Sequence, residues 1–130
     1  MERISAGEYV TSQMTEHDIC VRFIYEYRLQ KQQGALPKSI KLIKSVNEGT
    51  RSMGFVGRLK QEGWEAGTPD YSVQYSGGKC IYIEFKRSPK FILTGFQKEF
   101  QDWCDQYKVK HLVTSDWMEA IAFIKCNIPY

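Results

Sequence analysis

Apolar residues recur along the chain at helical and at strand spacing, and this pattern predicts the order of the elements. The first helix is predicted from Thr15, a favourable N-cap with Asp18 three residues later, to about Gln32. Gly34 and Pro37 then end it, because glycine accepts the left-handed conformation of a helix C-terminus and proline cannot continue a helix. Its apolar stripe consists of Cys20, Phe23, Ile24 and Tyr27.

The next two segments differ in the period of their apolar residues. From Ser39 to Ser45, apolar residues alternate with lysines, which is typical of a strand with one side facing water. From Thr50 to Glu62 the spacing becomes helical, and Gly63 is a natural terminator. The apolar positions of this second helix are Met53, Phe55, Val56 and Leu59.

A pair of strands joined by a short turn follows. One strand is predicted from Asp70 to Tyr75 and the other from Lys79 to Arg87, on either side of a Ser-Gly-Gly turn at residues 76–78. Glycine is common in such turns because it adopts the positive φ angles that close a hairpin. The sequence therefore predicts a β-hairpin.

The last third of the chain is predicted to form a helix from near Thr94, a strand from Val109 to Thr114, and a helix capped by Ser115 and ending near Asn127. Aromatic residues at helical spacing are interpreted as core and not as platforms for base stacking. The third helix carries Phe96, Phe100, Trp103 and Tyr107 along one stripe, and the last helix carries Trp117, Ala120, Ile121 and Ile124.

The predicted order, α-β-α-β-β-α-β-α, places the chain in the α/β class, with a mixed central sheet flanked by helices. The chain has 130 residues without a repeat or a linker, so residues 14–130 are expected to form a single domain after a loose segment at residues 1–13. No apolar run approaches the roughly 20 residues of a membrane span, and the first ten residues carry charges that a signal peptide would lack. A cytoplasmic protein without membrane contact is expected.

Cysteine content and net charge exclude little by themselves. The four cysteines are widely spaced and form no CxxC pair, so free thiols are expected in place of a zinc site. The formal net charge of +3 is too small to indicate a nucleic-acid partner. The position of the charges is more informative than their sum.

Side chains with complementary chemistry share one face of the predicted hairpin. Alternation along the strand places Glu84 and Lys86 on one face, and the same parity in the partner strand allows Asp70 to join them. Two carboxylates can hold a hard divalent cation such as Mg²⁺, and a lysine can orient the attacking water or stabilise developing negative charge. A surface salt bridge is the alternative interpretation of Glu84 and Lys86 taken alone.

A series of short motifs in fixed order favours the metal-site interpretation over the surface salt bridge. Together they resemble a VRR-NUC domain, a branch of the PD-(D/E)xK nucleases, from about Lys41 through Ile124. The motifs are Asn47-Glu48-Gly49, Arg51, Gly57-Arg58-Leu59-Lys60, Gly63, Gly67-Thr68-Pro69-Asp70, Ile83-Glu84-Phe85-Lys86-Arg87 and Leu93-Thr94-Gly95-Phe96-Gln97.

The resemblance implies a restriction-endonuclease-like fold and cleavage of DNA that depends on Mg²⁺ or Mn²⁺. The aspartate of the family falls on Asp70 and its Glu-x-Lys motif on Glu84 and Lys86, residue for residue. Gln97 is similar to a glutamine that supports the lysine or contacts the backbone phosphate, although an exposed helix residue is the alternative. The backbone carbonyl of Phe85 is a further candidate metal ligand.

Related nucleases also take a metal ligand from a glutamate of the first helix. Glu16 continues the stripe of Cys20 and Phe23, so it is preferred to Glu26, and Glu48 is a further candidate. The alternative for Glu16 is a carboxylate that only stabilises the positive end of the helix dipole.

Basic residues on either side of the motif are candidates for contacts with DNA phosphates, although a solvated basic face is the alternative. The resemblance further implies a phage or bacterial nuclease that acts on branched DNA such as a Holliday junction, as a homodimer. A flap, end-processing or restriction-associated nuclease and a non-catalytic DNA-binding module stay open. One departure is Tyr107-Lys108, at a turn that often contains glycine in this family. The basic candidates are Arg51, Arg58, Lys60, Arg87 and Lys90.

Overall fold

The computed structural model of the chain describes residues 14–45, 53–88 and 93–129. Within these ranges the elements follow the predicted order and give the predicted mixed α/β fold. The segment at residues 1–13 and the predicted turn with Glu48 lie outside the described ranges. The elements are α1 (Glu16–Gln33), β1 (Lys41–Lys44), α2 (Met53–Gln61), β2 (Tyr71–Tyr75), β3 (Lys79–Phe85), α3 (Gly95–Tyr107), β4 (His111–Thr114) and α4 (Trp117–Asn127).

The four described strands form one mixed sheet in the order β1-β2-β3-β4. The pairs β1-β2 and β2-β3 are antiparallel, whereas β3 and β4 are parallel and connected through α3. The predicted hairpin is confirmed: Tyr75 pairs with Lys79, and Gly77 and Gly78 in the turn have φ angles of 85° and 70°. The register of this hairpin fixes which residues of β2 and β3 lie side by side.

One face of the sheet is covered by α1 and α4, which also pack on each other. Phe23 of α1 lies at the centre of this core, with its ring centroid 5.2 Å from that of Tyr71 and 5.1 Å from that of Phe85. The predicted core residues of α4 are confirmed, and Trp117 packs against the cluster. This packing holds the start of α1 next to the end of β3.

The opposite face carries α3. The prediction that the aromatic residues of this helix belong to the core is wrong. Phe96 and Trp103 are 60% and 45% exposed, and Cys104 is the buried residue of this helix. At 3.6 residues per turn, the sheet-facing side with Gln97 and Cys104 is rotated about a quarter turn from the centre of the aromatic stripe. Phe100 still contacts the sheet, with its ring 5.1 Å from Tyr82.

The predicted helix ends at Thr15 and Gly63 agree with the structure, whereas the one at Ser115 does not. Thr15 caps α1 in a capping box with Asp18, as predicted. Gly63, with a φ angle of 103°, follows α2, which is described from Met53 to Gln61, and residues 50–52 of the predicted helix lie outside the described ranges. The prediction that Ser115 caps the last helix is wrong: the Thr114 hydroxyl accepts from the Asp116 amide, and Asp116 caps the helix by accepting from Met118.

The predictions from composition concern membranes and cysteines. In the ranges that the structure describes, no helix combines the length and apolar character required to cross a membrane. All four cysteines are free thiols, as predicted, and Cys104 is buried.

Candidate active site

The hairpin register brings the two predicted carboxylates together. Tyr71 pairs with Ile83, so Asp70 and Glu84 lie opposite each other at the next position, on the face away from the core. The Asp70 amide donates to Glu84 Oε2 at 3.0 Å, and the Phe85 amide donates to Asp70 Oδ2 at 2.7 Å. Each carboxylate is thus held by the backbone of the other strand.

A close approach between a loop and α3 positions this pair against the helix. Gly67 has a φ angle of 84°, and a Cβ atom there would lie 2.5 Å from the backbone carbonyl carbon of Phe96. Only glycine fits such a position, because the conformation and the space both exclude a side chain. The loop that leads into Asp70 therefore packs on the first turn of α3, next to Gln97.

Gln97 connects Lys86 to Glu84. Lys86 Nζ donates to Gln97 Oε1 at 2.7 Å, and the Thr94 amide donates to the same oxygen at 3.0 Å. Because both partners are donors, the atom between them must be the amide oxygen, which leaves Nε2 to donate to Glu84 Oε1 at 3.3 Å. The Gln97 side chain therefore has a single orientation that satisfies its three partners.

The same glutamine also begins the helix. Its own amide donates to Thr94 Oγ1 at 3.3 Å, so Thr94 and Gln97 form a capping box at the N-terminus of α3. This local interaction explains why a glutamine at the third helical position points back toward the sheet. Gln97 is therefore an ordered part of the site and not an exposed helix residue.

The electrostatic environment of Glu84 is unfavourable for a carboxylate. Burial is the main cause that raises the pKa of Glu84 to about 8, and the Asp70 charge adds to it. Lys86, whose Nζ lies 3.9 Å from Glu84 Oε1, and the Asp70 amide lower this pKa without cancelling the effect. A further positive charge at this position would stabilise the ionised form.

Glu16 reaches the same site from the start of α1. It lines a cleft of about 690 Å³ together with Asp70, Glu84 and Gln97, and its charge contributes to the raised pKa of Glu84. Glu26 instead accepts a hydrogen bond from Gln30 at 3.2 Å, further along α1. The structure therefore brings Glu16 to the site and leaves Glu26 outside it, while Glu48 lies outside the described ranges.

The carboxylates supply part of the ligand set that a hard divalent cation requires. Such a cation prefers carboxylate oxygens, and Mg²⁺ commonly uses one or two protein carboxylates together with water. Asp70 and Glu84 supply such a pair, with Glu16 beside them. Within residues 14–45, 53–88 and 93–129, no three His, Cys, Asp or Glu side chains come together as a ready metal cage. Phe85 uses its amide for Asp70, and a ligand role for its carbonyl stays a prediction.

The candidate DNA-binding residues are only partly described. Arg58 and Lys60 are exposed on α2 and Arg87 is exposed just after β3, whereas Arg51 and Lys90 lie outside the described ranges. Contacts with phosphates stay predictions for all five.

Lys44 is a residue of the site that sequence reasoning missed. Alternation along β1 places Lys44 on the same side as Leu42, where a charged functional residue is not expected, yet its Nζ lies 3.5 Å from Asp70 Oδ1 and 4.6 Å from the centre of the Tyr71 ring. The pairing of Lys44 with Tyr71 puts it one position from Asp70. That register depends on long-range strand pairing, which no local pattern in the sequence reveals.

Comparisons with known proteins support the fold assignment. No family model matches the sequence, and no curated protein matches it. Among solved structures, the chain is similar to one titled VRR_NUC domain, with a TM-score of 0.55 and 14% sequence identity. The match covers 88% of this chain and 99% of the other. The chain therefore has the fold of a VRR-NUC domain, the restriction-endonuclease-like fold that its motifs predict.

Proposed function

We propose that this chain is a DNA endonuclease that hydrolyses phosphodiester bonds with the help of Mg²⁺ or Mn²⁺. The observation that carries the proposal is the paired, largely buried carboxylates of Asp70 and Glu84, with Lys86 fixed beside them by Gln97. Structural salt bridges do not require a buried carboxylate whose pKa is raised to about 8, whereas active sites commonly contain one. Similarity in fold favours this chemistry but does not establish it, because one fold can carry several functions.

The cation would be held by the outer oxygens of the two carboxylates. Asp70 Oδ2 and Glu84 Oε2 accept from backbone amides, so Asp70 Oδ1 and Glu84 Oε1 are the atoms turned toward the cleft side chains. Glu16 and the carbonyl of Phe85 would complete the ligands. A divalent cation held there would polarise the scissile phosphate and lower the pKa of a nearby water.

Lys86 is positioned to act on the attacking water or on the negative charge that develops at the phosphate. Its side chain is only 12% exposed, so its charge acts in a less polar environment than bulk water. Gln97 is a positioning residue, because it binds the ammonium of Lys86 and the carboxylate of Glu84 at the same time. This double contact would hold Lys86 and Glu84 at a fixed distance from each other.

We assign the exposed basic residues to the phosphates on both sides of the site. Arg58, Lys60 and Arg87 would make such contacts together with Arg51 and Lys90. Phosphate contacts carry no base information, so a domain that relies on them selects DNA by shape. Branched DNA such as a Holliday junction is the proposed substrate, and symmetric cutting of two strands would require a homodimer.

A panel of DNA substrates tests the proposed reaction. The protein would be incubated with a four-way junction, a flap, single-stranded DNA and linear duplex, each with Mg²⁺, Mn²⁺ or EDTA. Paired cuts in the junction, together with the mass of a dimer in light scattering, are expected. Cutting only of flaps or ends would keep the chemistry and replace the substrate. Metal-independent binding without cutting of any DNA would overturn the nuclease assignment.

A matched pair of variants on α1 tests the role of Glu16. Glu16→Gln removes a charge at the cleft, while Glu26→Gln makes the same change outside it. Glu16→Gln is expected to raise the Mg²⁺ concentration required for half-maximal cutting, and Glu26→Gln is expected to leave it unchanged. Equal behaviour of the two variants would remove Glu16 from the site.

A further inference from the structure

The carboxylate pair lies between two lysines that are held very differently. Lys86, on the Glu84 side, is 12% exposed and is bound to Gln97 at 2.7 Å. Lys44, on the Asp70 side, is 48% exposed and lies 3.5 Å from Asp70 Oδ1. One ammonium is therefore part of a rigid network, and the other can exchange Asp70 for another partner.

Lys44 contacts the oxygen of Asp70 that a metal would use. The other oxygen, Oδ2, accepts a buried hydrogen bond of 2.7 Å from the Phe85 amide. A cation bound to Asp70 Oδ1 would meet the ammonium of Lys44 at close range, and like charges at such a distance repel. Lys44 and a divalent cation would therefore disfavour each other at Asp70 Oδ1.

The surroundings of Lys44 offer it another position. On the α1 side of Asp70 it borders a cleft of about 1110 Å³, which is also lined by His17 and Arg28. Apart from Glu16 and Asp70, which belong to the carboxylate cluster, the charged side chains that line this cleft are basic. A DNA phosphate on the side of the cleft away from the two carboxylates could accept hydrogen bonds from Lys44 and from Arg28.

We propose that Lys44 is a DNA-binding residue that occupies Asp70 in the absence of metal and transfers to a backbone phosphate when metal and DNA bind. Metal and DNA then bind cooperatively, because each removes Lys44 from a position that disfavours the other. This inference rests on the proposed metal site at Asp70 and Glu84. It adds a residue and a coupling that the sequence motifs do not contain.

The size of the coupling follows from the exposure of the ion pair. Exposed or half-exposed pairs contribute about 0.2–1 kcal/mol, which corresponds to a change of up to about fivefold in an equilibrium constant. Loss of Lys44 should therefore tighten metal binding to the DNA-free protein by about 1.4- to fivefold. Because linkage is reciprocal, metal should raise the DNA affinity of a variant without Lys44 less than it raises that of the wild type, by the same factor.

Calorimetric titration with Ca²⁺, a hard cation that binds carboxylate oxygens, measures the first effect. The wild type would be compared with Lys44→Met and with Lys41→Met, which removes an exposed lysine from the same strand. Tighter Ca²⁺ binding by Lys44→Met alone is expected. Unchanged or weaker binding by Lys44→Met overturns the inference while leaving the metal site in place.

A third variant, Glu84→Gln, separates failure of the inference from failure of the proposed function. If Glu84→Gln leaves the Ca²⁺ isotherm of the wild type unchanged, the cation does not bind at the carboxylate pair, and both proposals are wrong. If Glu84→Gln weakens binding and Lys44→Met does not strengthen it, only the role of Lys44 is wrong.

The salt dependence of DNA binding supplies a readout that a structural role would not change. Affinity for a four-way junction would be measured by fluorescence anisotropy in Ca²⁺ across a series of salt concentrations, with a gel confirming intact DNA. Loss of one phosphate contact should reduce the slope of log affinity against log salt by about one in Lys44→Met. An unchanged slope would overturn the transfer of Lys44 to phosphate.

Discussion

The two faces of the central sheet are held together by different interactions. On one face, α1 and α4 bury a continuous apolar cluster around Phe23. On the other, α3 buries only Cys104 and is attached to the carboxylate pair through hydrogen bonds of Gln97. Stability is therefore expected to depend mainly on the first face and activity on the second. The following variants test that separation, in order of decreasing effect.

Removal of the central aromatic ring should have the largest effect. Phe23→Ala would leave a cavity where the ring contacts Tyr71 and Phe85, both buried. A loss of about 3–5 kcal/mol in the free energy of unfolding is expected, because transfer and cavity costs add. Denaturation by urea, followed by circular dichroism, measures this loss.

Trp103→Ala is the matched control on the opposite face. Trp103 is a larger aromatic residue at helical core spacing, but it is 45% exposed. Its removal should cost less than about 1 kcal/mol. Similar losses for the two variants would show that both faces contribute equally to stability and would contradict the comparison.

Gln97→Ala should have the next largest effect, on activity. Without the amide, Lys86 and Glu84 lose the partner that fixes their distance, and a fall of about 10- to 100-fold in kcat is expected, as for other residues that orient metal ligands. The KM for DNA should change little. Single-turnover and steady-state cleavage assays separate the two constants.

Thr94→Ala controls for the capping function of the same glutamine. This variant removes the hydroxyl that accepts from the Gln97 amide, but it keeps the Gln97 side chain between Lys86 and Glu84. It should lose about 1 kcal/mol of stability, as other N-cap substitutions do, with a much smaller effect on kcat. An equal loss of kcat in both variants would show that Gln97 acts only as a helix cap.

The raised pKa of Glu84 predicts how stability changes with pH. The folded protein, with this pKa at about 8, binds more protons between pH 4.5 and 8 than the unfolded chain, where the ordinary value near 4.5 applies. The free energy of unfolding should therefore fall as pH rises through this window, by at most about 1.4 kcal/mol per pH unit. Thermal unfolding at several pH values measures the slope.

Glu84→Gln and Mg²⁺ should both reduce that slope. The variant removes the titrating group, while a bound cation favours its ionised form. An equally steep slope in Glu84→Gln would assign the pH dependence to other groups. A slope that Mg²⁺ does not alter would place the cation away from Glu84.

The smallest effect is expected at the turn after α3. Lys108 has a φ angle of 57°, in the left-handed region that favours glycine. Lys108→Gly should raise the free energy of unfolding by up to about 1 kcal/mol, because relief of this conformation exceeds the added freedom of the unfolded chain. A lower melting temperature for this variant would contradict that balance.

Local pattern is sufficient to predict the first face. Alternation in β2 and β3 and helical spacing in α1 and α4 all report burial against one apolar surface, and most buried residues coincide with the pattern. The predicted stripe of α1 is wrong in part, because Ile19 is buried whereas Cys20 and Ile24 are only partly buried. The same alternation correctly predicts that Asp70 and Glu84 share a face of the hairpin, because parity along paired strands is fixed.

Local pattern fails where polar contacts decide the orientation of an element. The aromatic stripe of α3 predicts a buried side, but the helix is rotated so that Gln97 reaches Lys86. Lys44 escapes prediction for a related reason, since its approach to Asp70 depends on the pairing of β1 with β2. Such contacts join distant parts of the chain and leave no periodic signal.

Asp70→Asn is the variant that best distinguishes a metal-dependent catalytic centre at Asp70, Glu84 and Lys86 from a structural cluster of charges. Asparagine can still accept from the Phe85 amide, so the fold should be retained, as circular dichroism would verify. Single-turnover cleavage would be measured with the DNA that the wild type cuts, in Mg²⁺ and in EDTA. A metal-dependent catalytic centre predicts cleavage by the wild type only in Mg²⁺ and a loss of at least about 100-fold in Asp70→Asn. Cleavage by Asp70→Asn at the wild-type rate, or by the wild type in EDTA, would contradict it.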